Sequence, residues 1–451
     1  MSTALVILAA GKGTRMNSDL PKVLHPIAHA PMLEHALSAG RALTPERTIV
    51  VAGHGADYVR AMMADIDEDA EIVVQEEQLG TAHAVAQTRE ALSDFDGDIV
   101  VLYGDTPFVS AETLQRMLAA RQSADLVVLG FTAADPARYG RLVMDGNSLE
   151  RIAEYKDATE AEREIDFCNS GLMAGNAAQM FALIDQVDSA NASGEYYLTD
   201  LVELARADGL QVTAVSCDEA ETLGINSRAD LAEADRVFQQ RKRADLMADG
   251  VTLMDPKTVY LAFDTVIGRD TIIEPNVVFG PEVTVESGVF IRSFSHFEGC
   301  HISRGSKVGP YARLRPGAEL AENTHIGNFV EIKNAEIAEG AKVNHLSYIG
   351  DASVGAETNI GAGTITCNYD GVMKHRTEIG ARAFIGSNTM LVAPVRIGDE
   401  AMTATGAVVT KSVEDGALAI ARAEQKNKPG RARKLMDMLR AKKARLSKGA
   451  E

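Results

Sequence analysis

The 451-residue chain has few cysteines: Cys168, Cys217, Cys300 and Cys367 stand far apart, with no CxxC pair. Their spacing argues against a zinc site or a disulfide frame and suits reduced thiols in a cytosol. Positive charge is also in deficit, the formal balance being -19. No nucleic-acid partner is expected of such a chain, and any anionic ligand must be met by local basic residues. The opening MSTALVILAAGKGTRM holds an apolar run too short to cross a membrane and has no basic leader before it. A soluble, cytoplasmic protein without membrane insertion is expected. Hydrophobic content of 46% and charged content of 24% are ordinary for a globular protein, and the length suits two or three domains.

What the chain has in quantity is a six-residue repeat from about Val266 to Val409. Its aliphatic frame runs Val266, Ile272, Val278, Thr284, then Ile302, Val308, Leu314, Leu320, Ile326 and Ile332. It resumes at Ile337, Val343 and Ile349, again at Val354 and Ile360, then at Ile379, Ile385, Leu391 and Ile397. A fixed hexad is the mark of a parallel β-helix, each hexad forming one side of a coil of about 18 residues, so roughly seven or eight coils are expected. Glycines follow the aliphatic residue at Gly268, Gly309, Gly327 and elsewhere, where corner conformation and crowding both disfavour a Cβ. The period fails between Ile360 and Ile379, where TCNYDGVMKHRTE is inserted. A rod that only assembles subunits has no need of that loop.

The N-terminal half alternates apolar runs with helix-like stretches: Ala4–Ala10, Met32–Leu43, Thr48–Ala52, Ala56–Met63, Ile72–Gln75, Thr81–Leu92 and Ile99–Tyr103. Alternation of this kind predicts a Rossmann-like, mostly parallel sheet whose ligands sit beyond the carboxyl ends of its strands. There stand Gly11-Lys12-Gly13-Thr14-Arg15-Met16, then Pro21-Lys22, Gln75, Gly80-Thr81 and Tyr103-Gly104-Asp105. The first loop is neither a Walker A sequence nor GxGxxG. Its glycines still free backbone N–H groups for a phosphate, and Lys12 and Arg15 bring charge that the acidic chain otherwise lacks. An aspartate at the end of a strand, as at Asp105, suits a magnesium ligand, although by itself it is more often a turn or cap residue.

LAAGKGTRM, Pro21-Lys22, QLGTAHA, LYGDTP, EYKDAT, CNSG, GEYYLTD and GINSR occur in that order, ahead of the hexad repeat. The set resembles the bacterial bifunctional N-acetylglucosamine-1-phosphate uridylyltransferase and glucosamine-1-phosphate N-acetyltransferase family, from Leu5 to about Arg422. The resemblance implies an α/β nucleotidyltransferase domain over 1-227, a linker helix over 228-248 and a left-handed parallel β-helix N-acetyltransferase domain with a basic tail over 249-451. In the first site it implies attack of a sugar 1-phosphate on UTP with loss of pyrophosphate. Arg15 and Lys22 would offset triphosphate charge, and Asp105 and Asn226 would hold Mg2+. Leu8, Ala9, Ala10, Gly11, Gln75, Gly80, Thr81, Tyr103 and Gly104 would meet the nucleotide, while Gly140, Glu154 and Asn169 bind N-acetylglucosamine 1-phosphate.

In the second site the resemblance implies attack of the glucosamine 1-phosphate amine on acetyl-CoA. The amine must lose a proton, and His345 is the base that the family's pattern indicates. Arg315, Lys333, Tyr348 and Asn359 would hold the sugar phosphate. Ala362, Asn368, Tyr369, Ser387, Thr405 and Arg422 would line the acetyl-CoA site. Thr405 stands where the family pattern has alanine. The wider expectation is a cytoplasmic homotrimer that supplies UDP-N-acetylglucosamine for peptidoglycan and lipopolysaccharide. His25 and His29, separated by Pro26, are read as non-ligands. From Arg422 to Lys448 eleven Lys or Arg stand against Glu424 and Asp437, a pattern that reads chiefly as a solvated basic tail. Two rivals remain at this stage: a single-activity sugar-1-phosphate nucleotidyltransferase whose β-helix only oligomerises it, and a non-enzymatic scaffold that binds sugar nucleotides.

Overall fold

The computed structural model describes residues 2–191 and 193–448. The chain clusters into two compact units. One runs through Asp245 and takes back Leu261–Phe263, and the other holds Leu246–Tyr260 and the residues from Asp264.

In the first unit Thr3–Ala9 is a strand buried at every position, as an unbroken apolar run covered on both faces must be. It pairs in parallel with Arg47–Ala52 on one side and Asp98–Tyr103 on the other, and Glu71–Val74 extends the parallel order. Phe167–Asn176 runs antiparallel between Asp98–Tyr103 and Leu126–Thr132, and Val212–Cys217 pairs in parallel with the latter. Two apolar clusters cover the two faces of the sheet. Beside the sheet an antiparallel hairpin, Arg141–Asp145 with Ser148–Ala153, lies directly ahead of Glu154.

The helix expected over Thr81–Leu92 spans only Thr81–Ala86. At Thr88 the side-chain hydroxyl donates to the Val85 carbonyl, one of the local bonds by which threonine competes with the helical ladder. The Arg228–Ala248 helix forms as a single element. It packs on the first unit: Ala234 is buried with Ile27, Met32, Phe108 and Ile225. Gln239 brackets the Leu261 backbone, donating to its carbonyl at 2.7 Å and accepting from its N–H at 2.9 Å.

The second unit is a stack of very short parallel strands. Ten of them form one sheet, from Thr252–Leu253 to Leu418–Ala419, so the stack passes both ends of the repeat legible in the sequence. The first part of the expected frame is out of phase by one residue. Val266 and Ile272 are 58% and 37% exposed, while Ile267, Ile273, Phe279 and Val285 are buried. Those strands offer two adjacent apolar residues, and strand geometry lets only one of them face inward. From Ile302 onward the outer neighbour is usually polar, as in Lys307-Val308 and Arg313-Leu314, and the framed residues are buried as expected.

The glycines meet the expected crowding more than the expected conformation: Gly309 takes a left-handed φ of 95°, but Gly268 and Gly327 do not. Gly327 has no left-handed φ, but a Cβ there would lie 1.9 Å from the Asn344 carbonyl oxygen on the next coil. Close stacking of coils excludes the side chain. The left-handed corners are taken mostly by other residues, among them Asn323, Phe329 and Leu346. Across the insertion, Asn359-Ile360 pairs directly with Phe384-Ile385. The extra residues therefore leave the stack as a loop, closed by an antiparallel bridge between Tyr369 and Lys374. Among the described residues no helix is long and apolar enough to cross a membrane.

Candidate active sites

The carboxyl ends of Thr3–Ala9 and Asp98–Tyr103 open into a cavity of about 280 Å³. Leu8, Ala9, Ala10, Gly11, Lys22, Gln75, Gly80, Thr81, Tyr103 and Asp105 line it, as the sequence led one to expect. Val23, Gln78, Ala84 and Glu195 line it too and were not singled out. Gln78 and Ala84 stood inside the quoted QLGTAHA and Glu195 inside GEYYLTD, whereas Val23 stood in none. Gly104 is not in the lining; its N–H donates to the Leu8 carbonyl. Arg15 lies on the Thr14–Met16 turn, exposed and outside the cavity lining.

Gln75 is buried, and its amide nitrogen donates to the Gly80 carbonyl at 3.1 Å and meets the His83 ring at 2.9 Å. This side chain fixes the Gly80 turn, where a Cβ would strike the Tyr196 carbonyl. Burial pushes the Tyr103 phenol far up from its usual value, so the ring enters the site as a neutral hydroxyl.

Lys22 forms an ion pair with Asp105 and donates to the Asn226 side-chain oxygen at 3.2 Å. One carboxylate and one amide oxygen, far apart in sequence, therefore converge on a cation. That donor set suits Mg2+, which takes one or two protein oxygens and completes its shell with water and phosphate. Among the described residues no group of three His, Cys, Asp or Glu is placed to hold a metal, so this pair would need substrate oxygens.

Gly140, Glu154 and Asn169 meet beside the hairpin. The Asn169 N–H donates to the Gly140 carbonyl at 2.8 Å, and a Cβ on Gly140 would come 3.4 Å from a Glu154 carboxylate oxygen. Thr199 donates to the same carboxylate oxygen at 3.3 Å. Asn169 accepts from Gly171 N–H, and Gly171 lies against the Tyr103 ring, which links this group to the cavity. Burial raises the Glu154 carboxyl and pushes nearby Asp200 up to about 6.

In the second unit His345 sits at a corner of the β-helix, exposed, with Asn328 on the preceding coil 2.7 Å from its Nδ1. Below it one column of backbone bonds runs down the corner. Gly363 N–H donates to the His345 carbonyl, Asn388 N–H to Ala362 and Gly406 N–H to Ser387. Arg422 then donates to the Thr405 carbonyl at 2.7 Å. His345, Ala362, Ser387, Thr405 and Arg422 thus share one edge, although nearly eighty positions separate the first from the last.

Arg315, Lys333 and Tyr348 lie on the face beyond that corner. Arg315 and Lys333 each follow one of the paired residues Leu314 and Ile332, and Tyr348 is in register with Glu331. Glu331 holds the Arg315 guanidinium at 2.8 Å. Asn359 is on the opposite side of the corner, in register with Lys342.

Asn368 and Tyr369 are not on the Ala362–Ser387–Thr405 edge. Asn368 is buried, donating to Asp351 and, at 3.4 Å, to the Tyr348 hydroxyl, and the exposed Tyr369 donates to the Gly371 carbonyl. Burial would raise the Asp351 carboxyl, but donation from Asn334 and Asn368 holds it below the usual range. Lys374, in the inserted loop, was not singled out in the sequence. It stands against Lys333, whose close approach lowers the Lys374 pKa. Both ammonium groups act on the Asp351 carboxylate, and Tyr348 also acts on Lys374. The one sequence signal of Lys374 was the insertion itself.

Residues 5–167 match the MobA-like NTP transferase domain. Residues 264–299 match the bacterial transferase hexapeptide (six repeats), and residues 376–411 the hexapeptide repeat of succinyl-transferase. Among solved structures, a UDP-glucose pyrophosphorylase complexed with UDP-glucose matches at a TM-score of 0.45 and 17% identity, covering 53% of this chain and 100% of that one. The bifunctional protein GlmU of Roseobacter denitrificans is 64% identical over 450 residues, covering 100% of both chains. That of Ruegeria pomeroyi is 75% identical over 444 residues, covering 98% of this chain and 99% of its own. The GlmU protein of Ruegeria sp. (strain TM1040) is 79% identical over 449 residues, covering 100% of both. With two transferase regions and such identity along its whole length, the chain belongs to the family of bifunctional GlmU proteins.

Proposed function

We propose that the chain makes UDP-N-acetylglucosamine in two steps, acetylating glucosamine 1-phosphate in the second unit and uridylylating the product in the first. We assign the acetylation to the corner at His345. With the Asn328 oxygen accepting from Nδ1, the Nε2 lone pair is left to take a proton from the sugar amine. An ammonium has no lone pair with which to attack a thioester, so this transfer must come first. Lys333, Lys374 and Arg315 would neutralise the sugar phosphate, and the Ala362–Ser387–Thr405 edge would carry the acetyl-CoA, ending at Arg422 near the CoA phosphates.

For uridylyl transfer, the N-acetylglucosamine 1-phosphate oxygen attacks the α-phosphorus of UTP and pyrophosphate leaves. No protein nucleophile is needed, because positioning and charge neutralisation carry such transfers. Lys22 and Arg15 would meet the triphosphate, Tyr103 and Gln75 the uridine end, and Glu154 with Asn169 the amino sugar. Asp105 and Asn226 would hold Mg2+, which when bound neutralises phosphate charge. A cytoplasmic homotrimer built through the β-helix is part of the same reading.

The observation that carries the proposal is the gathering of His345, Ala362, Ser387, Thr405 and Arg422 on one edge, which a merely assembling rod does not require. Two variants test it in the full chain. H345A is expected to lose CoA release from glucosamine 1-phosphate and acetyl-CoA while keeping uridylyl transfer, and D105N to do the reverse. Retained acetyl transfer in H345A would favour the rod, and a wild-type chain that releases no pyrophosphate would favour a scaffold.

A further inference from the structure

We infer that Arg228 is a positioning residue for uridylyl transfer, clamping the loop that carries Arg15 and Lys22, at one point directly after Arg15 and another directly after the turn that Lys22 opens, to the segment that carries Asn226. The inference rests on the uridylyltransferase reading of the first unit. Arg228 opens the Arg228–Ala248 helix, and its side chain turns back onto the loop. Its Nε donates to the Met16 carbonyl at 3.3 Å, directly after Arg15 on the Thr14–Met16 turn. Its Nη1 meets His25 Nδ1 at 3.2 Å, directly after the Lys22–Leu24 turn. One planar guanidinium thus reaches the loop at two points, the bridging that its fork of donors permits and a lysine ammonium does not reproduce.

The base of the clamp is firm. Asp230 accepts from the Asn226 and Ser227 N–H groups at 3.0 and 2.9 Å, and Ser227 in turn accepts from the Asp230 N–H at 3.2 Å. Ile225 N–H donates to the Asp105 carbonyl at 3.0 Å, tying the same segment to the carboxylate that Lys22 pairs with. The loop end is less firm. Other hydrogen bonds of the loop from Gly13 to Leu20 are local: Met16 to Gly13, Asn17 to Thr14, Leu20 to Ser18 and the Leu20 backbone with the His25 ring. Gly13 takes a left-handed φ of 58° and packs on Lys22, where a Cβ would come 2.6 Å from Lys22 Cβ. A shift of the loop therefore moves Lys22 with it. His25 and Met16 are buried, so the guanidinium contacts lie beneath the loop and not among the groups that face the cavity.

The test uses R228M and R228K in the full chain, with three readouts: steady-state pyrophosphate release from UTP and N-acetylglucosamine 1-phosphate, direct calorimetric binding of UTP, and acetyl transfer. For R228M the KM for UTP is expected to rise about tenfold or more with a matching loss of UTP affinity, as displacement of a positioned group by about 1 Å implies. The sugar-phosphate KM should change far less, and acetyl transfer should stay at the wild-type rate. R228K, able to reach Met16 or His25 but not both, should fall between the wild type and R228M. UTP affinity within twofold of wild type in R228M overturns the inference, as does an equal rise in both KM values, which would mark a general loosening. If wild type itself forms no pyrophosphate, it is the uridylyltransferase reading that fails.

Discussion

His345 donates from Nδ1 to the side-chain oxygen of Asn328, 2.7 Å away on the coil before it. The two residues are in register, so the bond is a product of coil stacking. It fixes the ring plane and the tautomer at once. A base whose second nitrogen is held in this way presents its free lone pair in one direction.

Asn328→Ala is accordingly expected to slow acetyl transfer about tenfold, and His345→Ala to slow it about 10²–10⁴-fold, the usual range for a general base. The N328A loss should fall on kcat, with the KM for glucosamine 1-phosphate nearly unchanged. Steady-state CoA release checks both. An N328A effect confined to KM would show that the asparagine binds substrate and does not orient the histidine.

Lys22 sits on the two oxygens that would bind magnesium. Replacing it with methionine removes a competing cation from Asp105 and Asn226 and a counter-charge from the triphosphate. Half-saturation by Mg2+ should therefore move to lower concentration, while kcat for uridylyl transfer falls about 10²-fold, the cost of deleting one preorganised charge. A magnesium titration of pyrophosphate release at saturating UTP decides it. An unchanged magnesium midpoint would place the metal elsewhere.

The sugar end of the first site should respond to acid. Burial raises the Glu154 carboxyl, donation from Thr199 opposes that rise and Asp157 adds to it. A raised carboxyl takes up its proton at higher pH than an ordinary glutamate, and a protonated Glu154 accepts less well from sugar hydroxyls. Sugar affinity therefore falls as pH drops through the raised value. T199V removes a donor to the charged form and moves that acid limb to higher pH. Asp200, pushed up to about 6, adds a titration of its own nearby, and D200N subtracts its contribution. Measuring the KM for N-acetylglucosamine 1-phosphate from pH 8 to 5 tests the sign, and a T199V limb displaced to lower pH contradicts it.

Legibility differed between the two units for physical reasons. Several cavity residues were readable because they stand at or just after the carboxyl end of a strand, as Gly11, Gln75 and Asp105 do, and the others came with the family resemblance. Glu195 and Arg228 stood in quoted motifs, but their contacts with the cavity and the Met16 loop were not readable, since these depend on segments brought together across most of the first unit. In the β-helix the period was plain, but its phase was ambiguous wherever two apolar residues adjoin, as at Val266-Ile267 and Ile272-Ile273. Lys374 was hidden for another reason. The inserted loop breaks the register that lets a sequence position be assigned to a face, so only folding shows that it returns to Lys333.

Gly327 offers a test of coil stacking that replaces no residue of either site. A Cβ there would lie 1.9 Å from the Asn344 carbonyl oxygen and 2.7 Å from the Asn344 carbonyl carbon, all backbone atoms of the next coil. No rotamer change relieves such a contact, so the coils must separate. The ladder around it, His325 to Lys342 and Ile326 to Val343, must yield with them. Gly327→Ala should therefore destabilise the β-helix by about 1–3 kcal/mol, the usual cost of overpacking a filled interior. Its melting transition should drop. Because Asn328 and His345 belong to the same pair of strands, acetyl transfer should weaken along with stability, whereas uridylyl transfer in the same preparation should hold. A G327A chain that melts at the wild-type temperature would mean that the coils can move apart freely at this corner, and that glycine's place after the aliphatic residue has another cause.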